Sequence, residues 1–218
     1  MIADPFPHLV IDDYWSADAL RAVVAALPPP ASRVWGHYQR QKRACRRIDR
    51  LPSVVREFFD AFTSPHAVAE VRELSGLPTL IPDTSYAGAG VHVVSRGGSL
   101  GVHVDFNELK KMPGEDGGPW YRRLNTFLYL NEAWDEAWGG GLSLHGPPVN
   151  GRPGPRLKTI APHFNRFVVF EASENSWHGH PEPLRCPADR ERLSLAVYWY
   201  TREPPPWERE YHSTIYVK

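Results

Sequence analysis

Ala89-Gly90-Val91-His92-Val93-Val94-Ser95-Arg96-Gly97-Gly98-Ser99-Leu100-Gly101-Val102-His103-Val104-Asp105 decides how the chain is read. Valines recur on both sides of an Arg-Gly-Gly turn, so the stretch predicts two short strands, Ala89–Ser95 and Gly101–Asp105. Similar runs follow at Arg123–Asn131, Gly141–Leu144, Leu157–Ile160, Arg166–Glu171 and Glu191–Tyr200. Gly139-Gly140-Gly141, Pro147-Pro148 and Gly151–Pro155 punctuate them. Before residue 80 the apolar spacing is helical instead. Ser16 can cap a helix with Leu20, Val23, Val24 and Leu27 on one face, ended by Pro28-Pro29-Pro30. Ser53 can cap a second, with Val54, Val55, Phe58, Phe59 and Phe62 apolar. Ser64 followed by Pro65 starts a third, with Val68, Val71 and Leu74 inward and Gly76 as its stop. Helices followed by many short strands predict an α+β fold whose β part closes as a jelly roll. The expected plan is one domain over 1–218: helical support to 79, a jelly-roll core over 80–201, and a C-terminal tail over 202–218.

Bulk properties bound the function. Lys plus Arg and Asp plus Glu both total 25, which argues against general nucleic-acid binding. No apolar run approaches the ~18 residues of a membrane span. The opening MIADPFPHLVIDDYW has neither a basic n-region nor an apolar h-region, so no signal peptide is expected. Cys45 and Cys186 lie far apart without metal spacing, and a reducing, cytoplasmic setting is the default reading.

The chemistry concentrates in three places. On a strand, His103 and Asp105 project to the same side, which offers an imidazole and a carboxylate to one metal. The strongest candidate for a third ligand is His178, in Ser176-Trp177-His178-Gly179-His180-Pro181-Glu182-Pro183. Two His and one carboxylate make the facial triad of non-haem Fe(II) oxygenases, with three positions left open. Further on, Arg192, Ser194, Ala196 and Tyr198 share one strand face, and Leu193, Leu195 and Val197 share the other. An inward Arg192 beside Ser194 suits a carboxylate held bidentately. Each feature alone also fits a half-exposed strand end or a surface arginine.

Together these pieces resemble the 2-oxoglutarate/Fe(II) dioxygenases of the prolyl 4-hydroxylase-like group, over roughly residues 80 to 201. The ordered set is Arg96-Gly97-Gly98 before the H-x-D, Arg123-Leu124-Asn125-Thr126-Phe127-Leu128-Tyr129-Leu130-Asn131, Gly139-Gly140-Gly141-Leu142, Trp177-His178-Gly179-His180-Pro181-Glu182-Pro183, and Arg192-Leu193-Ser194. The resemblance implies a double-stranded β-helix, Fe(II) held by His103, Asp105 and His178, and 2-oxoglutarate and O₂ as co-substrates. It implies that Arg192 meets the distal carboxylate of 2-oxoglutarate, joined by Tyr129 and Ser194. Asn125 and Phe127 share the facing of Tyr129 and are expected along the pocket, with Asn125 among the contacts to 2-oxoglutarate. In the family's W/F-H-G-x-P frame the ligand is His178, and His180 becomes a wall residue. Arg190 has the parity of Arg192 but lies outside the R-x-S frame. His92 is open between a contact to substrate or keto-acid and a satisfied core histidine.

Asp105 favours hydroxylation, since related halogenases carry a small residue there. The expected substrate is a free or carrier-bound metabolite such as an amino acid. Alternatives are a protein (prolyl) hydroxylase, a non-catalytic jelly roll binding metal and ligand, and a zinc hydrolase, which would not explain Arg192. The Asn107–Tyr121 segment reads as an active-site lid or a plain loop, and Trp134 and Trp138 as a rim or as packing. The basic run Arg40–Arg47 reads as a solvated face or as recognition of an acidic part of the substrate.

Overall fold

The computed structural model describes residues 1–38, 40–207 and 210–217. In chain order its elements are β1 (His8–Ile11), α1 (Ala17–Ala26), β2 (Gly36–Tyr38), β3 (Lys42–Cys45), α2 (Ser53–Phe62), α3 (Pro65–Ser75), β4 (Ile81–Pro82), β5 (Gly90–Ser95) and β6 (Leu100–Val104). There follow β7 (Glu108–Leu109), β8 (Trp120–Tyr129), β9 (Leu142–His145), β10 (Arg156–Ile160), β11 (Phe167–Glu171), β12 (His178–His180), β13 (Glu191–Thr201) and β14 (Ile215–Tyr216). Among the described residues no helix is long and apolar enough to cross a membrane.

The strands form two antiparallel sheets. The major sheet runs β1-β11-β8-β13-β5-β3-β2, with β4 added on β13 and β7 on β8. The minor sheet runs β10-β9-β12-β6-β14. Tyr129, Val168 and Phe170 of the major sheet pack against Leu142, Leu144 and Ile160 of the minor one. This is the expected α+β jelly roll.

Strand alternation divides the major sheet between two tasks. Leu193, Leu195, Val197 and Trp199 of β13 face the helices, where they meet Leu20 and Val23 of α1 and Val55, Phe58, Phe59 and Phe62 of α2 in one core. Their alternates Arg192, Ser194 and Tyr198 face the minor sheet and line the cavity between the sheets. The helices start and stop on the chemistry of their ends. Ser16 and Ser64 accept hydrogen bonds from Ala19 N and Ala67 N, and Gly76 ends α3 in the left-handed region at φ 71°. The helix over 53–62 begins at Ser53 itself, with Pro52 in the cap position.

The first 79 residues, expected as helical support, also give the major sheet three strands. β1 pairs with β11, and the β2–β3 hairpin extends the sheet beyond β5. Within the stretch expected as a tail, β14 forms the edge of the minor sheet against β6; positions 208, 209 and 218 of that stretch lie outside the described residues.

Candidate active site

His178 and His103 occupy directly opposed positions on β12 and β6, and Asp105 follows one residue after β6 ends. The sequence can hold β12 there because Gly179 has no side chain. A Cβ at Gly179 would sit 2.9 Å from the carbonyl oxygens of Leu100 and Gly101. His103 Nε2 lies 3.5 Å from Asp105 Oδ1, and His178 Nε2 lies 3.4 Å from Asp105 Oδ2. One donor atom from each of the three residues falls within 4.8 Å of the others.

Both imidazoles are oriented by the backbone. His103 Nδ1 donates to Gly101 O at 2.8 Å and His178 Nδ1 to Ser176 O at 2.7 Å, which fixes the tautomer and leaves each Nε2 lone pair toward Asp105. Burial pushes His178 down to about 4, so it is a neutral ligand at ordinary pH. Burial by itself would raise Asp105, but the Arg122 guanidinium and the two imidazoles hold it well below the usual carboxylate range. Two imidazoles and one carboxylate on one side of a cavity, with room on the other, fit a divalent iron in a 2-His-1-carboxylate site.

Arg122, absent from the sequence-derived set, completes this end. It is fully buried, lies 3.1 Å from Asp105 Oδ2, and donates from Nε to Asn125 Oδ1 at 2.7 Å. Its guanidinium stacks 3.5 Å from the centre of the Tyr198 ring. Asn125 in turn donates to Asp105 Oδ2 at 2.7 Å. Asn125, expected among the 2-oxoglutarate contacts, is hydrogen-bonded to Asp105 instead. It lies four residues along β8 from Tyr129, about 13 Å at strand rise. Strict alternation would turn Arg123 inward beside Asn125. A register irregularity between Trp199 and Tyr200 brings Arg122 opposite Tyr200 and rephases β8.

The other end of the cavity is built by Arg192. Its Nε donates to Gly140 O at 2.7 Å and its Nη2 to the Tyr129 hydroxyl at 3.2 Å. Gly140 has φ 76°, and a Cβ there would meet Leu184 Cδ2 at 2.7 Å and Arg192 Cδ at 3.0 Å, so only glycine admits this approach. Among the described residues no carboxylate pairs with Arg192. Ser194 lies opposite both Tyr129 and His92, which puts all three on one inward-facing rank. His180 also faces the cavity, buried, with no partner for Nδ1 among the described residues.

One cavity of about 350 Å³ joins the two ends, with Phe127, Leu142 and Tyr198 as its apolar wall and Tyr38, Thr214 and Tyr216 toward its mouth. The Asn107–Tyr121 segment, read as either a lid or a plain loop, folds back against β8. Glu108 and Leu109 pair with Tyr121 and Trp120, and Met112 is buried. Trp134 and Trp138 form an edge-on pair 5.3 Å apart, packed with Val94, Leu184 and Cys186, and do not line this cavity.

The sequence pattern of the 2OG-Fe(II) oxygenase superfamily matches residues 89–200. The prolyl 3-hydroxylase OGFOD1 of Xenopus laevis is 38% identical over 90 residues, which is 39% of this chain and 17% of that one. The match therefore spans less than a fifth of that relative's length. Among solved structures, HygX from Streptomyces hygroscopicus with nickel, 2-oxoglutarate and hygromycin B bound superposes with a TM-score of 0.58. It is 14% identical and covers 91% of this chain and 84% of its own. A prolyl hydroxylase from Trichoplax adhaerens in complex with a hypoxia inducible factor peptide fragment has a TM-score of 0.58, 17% identity, and coverage of 89% and 83%. At these identities the structural likeness is one of fold.

Proposed function

We propose that this chain, which belongs to the 2OG-Fe(II) oxygenase superfamily, hydroxylates an unactivated C–H bond of a free or carrier-bound metabolite such as an amino acid. Fe(II), 2-oxoglutarate and O₂ are the cofactor and co-substrates of that family. One observation carries the reading: a single cavity holds a 2-His-1-carboxylate cluster at one end and, at the other, a buried arginine without a carboxylate partner among the described residues. A buried guanidinium without a counter-charge is costly, so the site calls for an anion.

When bound, iron with 2-oxoglutarate activates O₂; one oxygen atom enters the substrate C–H bond and the other leaves in succinate, with release of CO₂. In this reading His103, Asp105 and His178 hold the metal. Arg192 and Tyr129 receive the distal carboxylate and fix the orientation of the keto-acid. Arg122 and Asn125 keep Asp105 aimed at the metal, while Phe127, Leu142 and Tyr198 exclude water from the reacting carbon. The size of the cavity favours a small group.

A second reading, hydroxylation of a prolyl residue in a protein, is favoured by the 38% identity to a prolyl 3-hydroxylase. The test incubates the protein with Fe(II), 2-oxoglutarate and O₂ against amino acids, their carrier-bound forms and proline-containing peptides. It follows succinate release together with a one-oxygen mass gain. A gain on a metabolite supports the first reading, a gain on peptides alone supports the second, and a one-oxygen gain that needs no 2-oxoglutarate, or no gain on either class, sinks both.

A further inference from the structure

The basic run Arg40–Arg47 does not form one patch. Arg43 is buried on the opposite face of the sheet from Lys42, pairs with Glu191, donates to Ser95 Oγ at 3.2 Å, and lies 5.4 Å from the Trp35 ring centre. Arg46 is exposed, and Arg47 pairs with Asp49 at 2.7 Å in solvent. Lys42, the alternate of Arg43 on β3, turns the other way and lines the cavity that holds the metal cluster. It stands opposite Val94 on β5, which stands opposite Arg192 on β13, so Lys42 and Arg192 share one inward rank.

Three observations bear on what Lys42 meets. Among the described residues its ammonium has neither a carboxylate nor a hydrogen-bond acceptor, only the Tyr38 ring at 6.0 Å. Among the described residues Asp105 is the only carboxylate along this cavity, and Arg122 already lies against it. With iron and 2-oxoglutarate in place their charges cancel. Arg122, Arg192 and Lys42 then face Asp105 alone, a surplus of two positive charges in a largely buried space. In the function proposed above, both carboxylates of 2-oxoglutarate would be taken up, one by the metal and one by Arg192 and Tyr129. Burial and the nearby Arg192 also draw Lys42 below its ordinary range, which an incoming anion would reverse.

We propose that Lys42 receives a carboxylate of the primary substrate and so makes this oxygenase selective for acids. The inference rests on the function proposed above and adds the substrate class to it. Lys42 enters from the β2–β3 hairpin, with Tyr38 beside it at the mouth, so the acid group is held on the hairpin side while the target carbon faces the metal.

The test uses anaerobic, Fe(II)-loaded protein with 2-oxoglutarate and needs no knowledge of the substrate. Trifluoroacetate serves as the carboxylate probe and trifluoroethanol as its neutral match, each followed by metal-dependent broadening of its ¹⁹F line. The visible band of the iron chelate in the same samples reports that 2-oxoglutarate is bound. Expected is saturable broadening for the acid and none for the alcohol, with about ten-fold weaker binding in Lys42→Met, the scale of one charged hydrogen bond. Equal broadening in wild type and Lys42→Met, or none in wild type with the band present, overturns the proposal. So does a ten-fold loss of 2-oxoglutarate affinity in Lys42→Met, which would assign Lys42 to the keto-acid. Absence of the band in wild type would instead bring down the function itself, and the proposal with it.

Discussion

His178 stands directly across the β12–β6 pair from His103, with the two ring centroids 4.4 Å apart. Because each ring donates Nδ1 to a backbone carbonyl, both Nε2 atoms are presented together with Asp105 before any metal arrives. That pre-organisation separates His178 from His180. His178→Ala should lose Fe(II) or Co(II) binding by about 100-fold or more, whereas His180→Ala should keep it within a few-fold. Metal titration of the two variants checks this, and the reverse order would move the ligand to His180.

Arg122 and Asn125 both act on Asp105 Oδ2. Arg122→Gln leaves a buried carboxylate short of its main counter-charge, and Fe(II) affinity should fall by about 10- to 100-fold. Asn125→Ala should produce a smaller loss of the same kind. Calorimetric titration with Co(II) reads both, and unchanged affinity in Arg122→Gln would show that Asp105 needs no such support.

At the opposite end, Arg192→Ala should raise the 2-oxoglutarate requirement about ten-fold or more, from the loss of charged hydrogen bonds of about 1.5–3 kcal/mol. Tyr129→Phe should raise it less, since a neutral hydrogen bond contributes about 1 kcal/mol. The measurement is the half-saturating 2-oxoglutarate concentration at fixed Fe(II). A larger effect from Tyr129 than from Arg192 would invert the assignment.

Acid should act on the metal-free protein partly through His178. Its folded pKa of about 4 lies below the ordinary value of 6.5 because the ring is buried. The unfolded chain therefore takes up a proton first as pH falls, so stability is full above about 6.5 and declines toward 4. Thermal unfolding between pH 7 and 4.5 should show a shallower decline in His178→Gln than in wild type. His92 and His180, also pushed down by burial, keep part of the slope. Identical slopes would mean that His178 titrates normally.

Much of this arrangement is legible in the sequence because it depends on period-two alternation. Arg192 and Ser194 turn inward and Leu193, Leu195 and Val197 turn toward the helices as their order along β13 predicts. His103 and Asp105 share a side for the same reason. What is not legible depends on irregularity or on distant pairing. Arg122 reaches Asp105 only because β8 changes phase near Arg123, and no residue type announces that change. β12 has three residues, too few to show a strand pattern, and β14 has two. The facing of Lys42 follows from the pairing of β3 with β5, between elements far apart in the chain and separated by helices.

The most direct test of the account is an anaerobic titration of the metal-free protein with Fe(II) and then 2-oxoglutarate, followed by the weak visible charge-transfer band of the chelate. The account predicts a saturable band in wild type, its loss in Asp105→Ala, and a weaker hold on 2-oxoglutarate in Arg192→Ala. A well-folded protein that binds Fe(II) but develops no band would contradict it, and the cavity would then belong to a binding module.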